Sequence, residues 1–176
     1  MRVLKWMLGL VLALAAVIVV GGLLLPSTFT VERSVDIAAP ADKVYALIED
    51  PREWKRWTVW NRRDPAMKMS YSGPPSGAGA GWAWQSATEG SGSMKFTAAE
   101  PGRRIAYELH FPDFDSTSTG DLRLAPAGSG TRVTWTMNGN MGANPVFKWF
   151  VLFMDRMVGP DFDAGLKNLK AEAEKA

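Results

Sequence analysis

Phe29-Thr30-Val31-Glu32-Arg33-Ser34-Val35-Asp36-Ile37-Ala38-Ala39-Pro40-Ala41-Asp42-Lys43-Val44-Tyr45 changes its hydrophobic period midway. Val31, Arg33, Val35 and Ile37 alternate with Thr30, Glu32, Ser34 and Asp36, the period-two pattern of a half-buried strand. Ala38-Ala39-Pro40 ends that strand. Pro40 and Asp42 suit the first turn of a helix whose buried stripe is Val44, Tyr45, Leu47 and Ile48. Asp50-Pro51 breaks it, and a second short helix is expected from Pro51 to Trp57.

Downstream, alternation resumes in six stretches with no helix between them. The inward sets are Met67, Met69 and Tyr71; Trp82 and Trp84; Met94, Phe96 and Ala98; Ile105, Tyr107, Leu109 and Phe111; Leu122 and Leu124; and Val133, Trp135 and Met137. Turn residues at Gly73-Pro74-Pro75, Gly90-Ser91-Gly92, Pro101-Gly102 and Pro126 to Gly130 separate most of them. Asn144-Pro145 opens a long C-terminal helix, with Asn144 as its cap, and Gly159-Pro160 predicts a kink or split within it. The expected fold is α+β, a curved antiparallel sheet of about seven strands around that last helix, occupying residues 29–176.

Ahead of this domain, Trp6 to Leu25 are twenty residues, all apolar or Gly, preceded by Arg2 and Lys5. As a helix they span about 30 Å, the thickness of a bilayer core. The run exceeds the core of a cleaved leader, and its small-x-small site, Ala13-Leu14-Ala15, sits in mid-run. Residues 1–28 therefore read as a retained transmembrane signal anchor and a short tether. Arg2 and Lys5 place the N-terminus in the cytoplasm and the domain on the periplasmic or extracytoplasmic side of the inner membrane.

Lys and Arg total 20 against 18 Asp and Glu, and Arg2 with Lys5 account for the whole excess. The domain thus lacks the surplus cations of a nucleic-acid binder. The absence of Cys excludes disulfides, thiolate nucleophiles and Cys-ligated metals, and the single His110 excludes multi-His metal sites. His110 has outward parity beside Glu108, which leaves no credible Ser-His-Asp arrangement. Asp113 with Asp115, in a turn, and Asp161 with Asp163, at an expected helix start, lack further metal ligands. Gly77 to Gly81 precedes a strand and reads as a flexible hairpin, not a phosphate loop. No metal or cofactor is expected, and no nucleic-acid partner.

Several segments carry a resemblance to a known family: Val31 to Tyr45 with Asp50, Trp54 and Trp57; Gly77 to Trp84; Gly130-Thr131-Arg132-Val133-Thr134-Trp135; and Gly159, Asp161-Phe162 and Gly165-Leu166. Over residues 29–174 the chain resembles the START-like, or SRPBCC, helix-grip superfamily, and within it the polyketide cyclase/dehydrase and lipid transport family. The resemblance implies a helix-grip fold with an apolar cavity between sheet and final helix. It brings no catalytic signature, because the superfamily includes lipid carriers, ligand-binding stress proteins, aromatic cyclases and oxygenase domains.

The inward faces offer Met69, Tyr71, Trp84, Phe96, Tyr107, Leu109, Trp135 and Met137 as walls of a hydrophobic ligand site, with Phe150 and Met154 from the last helix. Each residue alone reads more readily as core. Every ligand methylene taken from water would contribute ~0.8 kcal/mol. Arg33, at inward parity, needs either a ligand head group or a carboxylate, and Asp155 is the favoured partner. Trp54, Trp57 and Trp60, interleaved with Arg52, Lys55, Arg56, Arg62 and Arg63, suit a portal at a membrane or short helices packed on the sheet. Val146 to Met154 (VFKWFVLFM) is too apolar for a one-sided helix and too short to span a bilayer. It closes the cavity, docks on lipid or binds a partner. The expectation is membrane-anchored binding of a lipid or other hydrophobic small molecule. The alternatives are a polyketide-cyclase-like enzyme using Arg33, Tyr71, Tyr107 or Glu108, and a pocketless interaction module using VFKWFVLFM.

Overall fold

The computed structural model describes residues 2–114 and 116–175, so the turn position of Asp115 lies outside the described residues. Helix α1 (Arg2–Leu24) leads into β1 (Thr28–Ile37), α2 (Ala41–Glu49), α3 (Trp54–Trp57) and α4 (Trp60–Arg63). The strands β2 (Lys68–Ser72), β3 (Gly81–Ser86), β4 (Gly90–Glu100), β5 (Arg104–Phe111), β6 (Ser116–Ala127) and β7 (Gly130–Asn140) follow, then α5 (Pro145–Lys148) and α6 (Val151–Ala173). The seven strands form one antiparallel sheet in the order β1-β7-β6-β5-β4-β3-β2.

Register explains the core. Val31, Met137, Gly120, Tyr107 and Phe96 are direct cross-strand partners in one row, and the next row holds Arg33, Trp135, Leu122 and Ile105. Because opposed residues share a face, the inward sets of all seven strands meet on one side of the sheet. A bulge at Thr97 changes one assignment. Phe96 pairs with Tyr107 and Ala98 with Ala106, so Ala99, opposite Ile105, takes the inward position expected for Ala98. Inward glycines make room for rings from neighbouring strands. A Cβ at Gly92 would overlap the Trp84 ring, one at Gly120 the Tyr107 ring and one at Gly139 the Phe29 ring.

The end of α2 is buried, so its free carbonyls need donors. The Trp57 indole donates to the Leu47 carbonyl at 3.0 Å, the Trp54 indole to the Ile48 carbonyl at 2.9 Å, and the Gly77 amide to the Glu49 carbonyl at 3.0 Å. The two indoles thus cap α2 while their rings fill the interior.

The C-terminal helix departs from expectation at two places. It is not split at Pro160: α6 runs through it, and the split falls at Trp149-Phe150 instead. Pro160 and Arg156 are both exposed, so solvent can satisfy the carbonyl that loses its amide donor. Asp161 and Asp163 consequently lie inside α6 and not at a helix start. Asn144 does cap α5, accepting from the Val146 amide at 2.9 Å, with Pro145 in the first turn.

Candidate functional site

The space between sheet and α6, where the resemblance implies a cavity, is filled with rings. Trp54 sits 4.7 Å from Trp57, 5.1 Å from Trp82 and 5.7 Å from Phe96, centroid to centroid. Trp135 stacks on Phe162 of α6 at 3.8 Å and 5°. Phe96, Tyr107, Leu109, Trp135 and Met137, all candidate wall residues, are buried in this cluster. Among the described residues, α3 drives Trp54 and Trp57 into the space expected to be hollow, at 2% and 0% exposure. This is the second of the two readings of Trp54 and Trp57, short helices packed on the sheet; periodicity alone could not choose it, since a four-residue helix carries no stripe.

Three other candidates sit where the packing thins. Met69, Tyr71 and Trp84 are half-buried at the end of the sheet farthest along β2 and β3, where the Trp84 ring meets Phe111 edge-on at 5.9 Å. The Arg52 guanidinium lies 4.9 Å from the Tyr71 ring centre, and burial raises the Tyr71 hydroxyl above its ordinary pKa against the opposing pull of Arg52. An open concavity of about 400 Å³ lies at this end, lined mainly by residues of outward parity, among them Lys68, Ser70, Ala83, Gln85, Ser93 and His110, with Met69, Trp84 and Gly92 between them. Lys68, Gln85, Gly92 and His110 were not sequence candidates. Outward parity, or the lack of a side chain, kept them out of a reading confined to the inward face.

Polar groups on the inner face are already engaged. Arg33 holds Asp155 with two bonds of 2.8 and 3.0 Å and Asp163 with one of 3.1 Å, and also donates to the Glu32 carbonyl. The favoured Asp155 pair is therefore present, with Asp163 as a partner the sequence did not disclose. A Cβ at Gly159 would overlap this guanidinium, so Gly159 lets it lie against α6. The Tyr107 hydroxyl donates to the Thr136 carbonyl and accepts from the Trp135 indole, both at 3.0 Å, and burial pushes its pKa well above the usual phenol value. Glu108 is exposed on the opposite face. Arg63 binds Asp161 and, at 3.4 Å, Glu89, while the Trp60 indole donates to Asp161 at 3.1 Å. Helix α4 is thereby strapped between α6 and the β3-β4 turn. Arg56 pairs with Glu53 and Glu172. Met154 is half-buried against the core, whereas Phe150 is exposed and stands apart from the other wall candidates.

These pairs set an acid limit. Hydrogen bonding from Arg33 holds Asp155 below its ordinary pKa; Arg132 does the same for Asp36, Lys175 then Arg56 for Glu172, and the Ala38 amide then Lys170 for Glu174. A carboxylate depressed in the folded state contributes stability that is complete above its unfolded pKa and is lost as pH falls through the lower folded value. The thermal midpoint is expected to stay level from neutrality to about pH 5 and to fall below about pH 4. Asp155→Asn is expected to lower the midpoint at neutral pH and flatten the acid limb, as read by differential scanning calorimetry.

Residues 28–174 match the family model described as polyketide cyclase / dehydrase and lipid transport. Uncharacterized proteins of Mycobacterium tuberculosis and Mycobacterium bovis are 28% identical over 109 residues, which cover 59% of this chain and 61% of theirs. The chain thus spans about three fifths of the length of these curated relatives. Among solved structures, a protein from Chromobacterium violaceum superposes with a TM-score of 0.58 at 19% identity, covering 84% of this chain and 98% of that one. The di-domain ARO/CYC protein StfQ of the steffimycin biosynthetic pathway gives 0.62 at 15% identity, covering 84% and 51%. Ara h 8.0201 gives 0.58 at 13% identity, covering 83% and 97%. At these identities the likeness is one of fold.

Proposed function

The chain belongs to the polyketide cyclase / dehydrase and lipid transport family, and from that membership we propose that it binds a lipid or another hydrophobic small molecule while held at the membrane by α1. The observation that carries the reading is the unfinished end of the inner face. Met69, Tyr71, Trp84 and Phe111 extend the apolar core outward, half-buried, and Met69 and Trp84 also border a concavity of about 400 Å³ whose other strand residues are mostly of outward parity. That volume suits a small ligand or part of an acyl chain. Met69, Ala83 and Trp84 are the concavity's apolar part, and Lys68, Gln85 and His110 supply polar groups that can orient a head group. Binding is partition into this site, with the ring-filled interior behind it as a rigid wall.

Anchoring is supported by Val3–Leu24, a helix of 22 residues long and apolar enough to cross a bilayer and left exposed by the rest of the chain. The cations at positions 2 and 5 support a cytoplasmic N-terminus and a domain on the periplasmic or extracytoplasmic side. Tyr107 and Arg33, the polar groups a cyclase-type reaction would draw on, are committed to structural partners, which favours binding over catalysis.

Native mass spectrometry of the gently extracted full chain tests the site. A bound hydrophobic molecule is expected to survive detergent exchange. Met69→Lys, which sets a charge beside the concavity on the edge strand β2, is expected to reduce its occupancy about tenfold, the equivalent of one or two buried methylenes. Equal occupancy in both proteins would place the molecule elsewhere and end the proposal.

A further inference from the structure

Outside α1, every exposed large hydrophobic side chain among the described residues falls between Val146 and Met157. They are Val146, Phe147, Phe150, Leu152, Phe153 and Met157, exposed by 47% to 61%. A cluster of this kind marks a contact surface. Positions 150, 153 and 157 recur at helical spacing and share a face at the start of α6, with Val146 and Phe147 on α5 just before the break, while Asp155 is turned to Arg33.

Where this patch sits tells what covers it. Helix α5 leans on the C-terminal turns of α1. The Trp149 indole donates to the Ile18 carbonyl at 2.9 Å. A Cβ at Gly21 would come within 2.6 Å of the Trp149 ring, and one at Gly22 would overlap the Pro145 carbonyl. Gly22 is buried and Ile18 and Gly21 are half-buried, in a helix otherwise exposed at its described side chains. Ile18 lies six residues before Leu24, the end of α1. At ~1.5 Å per residue this is about 9 Å in from that end. A bilayer crossed by α1 therefore reaches past the level of α5.

We infer that α5 and the first turns of α6 are embedded in the leaflet on the domain's side, with Val146, Phe147, Phe150, Phe153 and Met157 against lipid acyl chains. The inference rests on α1 spanning the membrane. The depth agrees with that of interfacial helices, whose apolar faces enter roughly 5–10 Å into the headgroup–acyl boundary. The Trp149 N–H, costly if unpaired there, is satisfied by α1, and Lys148 is long enough to reach the headgroups. Met154 and Val158 continue the same helix into the core, so the embedded element is rigidly joined to the domain.

The chain contains no cysteine, so single-cysteine labelling needs no background removal. The full chain is placed in phosphatidylcholine nanodiscs carrying spin-labelled lipid, with an environment-sensitive fluorophore on Phe153→Cys, Leu14→Cys or Lys95→Cys. Lipid quenching at position 153 is expected to match that at position 14 and to exceed that at position 95, on an exposed strand position, about fivefold. Quenching by aqueous iodide at 153 with lipid quenching at 14 overturns the inference and leaves the anchor standing. Shielding of 153 from both quenchers means that protein covers the patch, and also overturns it. Absence of lipid quenching at position 14 removes the anchor itself and the inference with it.

Discussion

Trp135→Ala is expected to destabilise the domain by ~3–5 kcal/mol, comparable with the whole stability of a domain this size, roughly 5–15 kcal/mol. Trp135 is 1% exposed and stacks flat on Phe162 at 3.8 Å, joining sheet to α6. Trp57 meets it edge-on at 5.2 Å, Trp54 at 5.8 Å and Trp60 at 6.1 Å, so one ring touches α3, α4 and α6 together. Its indole also donates to Tyr107, whose hydroxyl bonds the Thr136 carbonyl. Deletion therefore leaves a large void that four separate elements would have to move to close, the condition under which truncation is most costly. The guanidinium midpoint of the full chain in detergent, followed by near-UV circular dichroism, measures it. Trp84→Ala, at the half-buried end of the sheet, is expected to lose far less. A loss below about 1 kcal/mol for Trp135→Ala would mean that this stack is not what holds α6 to the sheet.

The contrast between those two tryptophans also shows where the sequence was readable. Both lie on alternating stretches, and alternation assigns each to the inner face. It orders the strands, supports an antiparallel sheet and marks Arg33 as a cation needing an acid on the final helix. Local period says nothing about what arrives from elsewhere. Trp54 and Trp57 fill the interior because α2 ends buried and needs two donors, a requirement visible only once α2 is packed. The Thr97 bulge shifts inward parity by one residue without disturbing the apolar pattern, since Ala98 and Ala99 are interchangeable on paper. Pro160 signals a break that exposure makes tolerable, whereas the actual break at Trp149-Phe150 follows from α5 turning toward α1, 131 residues away in the Trp149–Ile18 bond. The free end of the sheet was half legible. Met69, Tyr71 and Trp84 declared themselves by parity; Lys68, Gln85 and His110 line the concavity from the outward rows, which the period of an inward stripe passes over.

Trp54→Ala asks whether the grip can hold a ligand in its interior once the plug is drawn. The substitution is expected to cost ~3–5 kcal/mol, with the Ile48 carbonyl losing its indole donor adding roughly 1–3 kcal/mol. The void would be bounded by Trp57, Trp82, Phe96, Tyr107 and Trp135, a dry apolar wall with one carbonyl needing a donor. Free indole is the group removed, with its N–H in place. At a hundred times its dissociation constant a ligand of the folded state restores ~2.7 kcal/mol, so indole is expected to raise the thermal midpoint of Trp54→Ala by several degrees and leave the parent chain unmoved. Adding Met69→Lys separates the two sites. It is expected to reduce the ligand carried at the free end of the sheet about tenfold while leaving indole rescue intact, because Met69 lines the concavity and not the void. Rescue lost together with the native ligand would mean that the two spaces are one, and that the aromatic interior is the pocket itself, closed by Trp54 when empty.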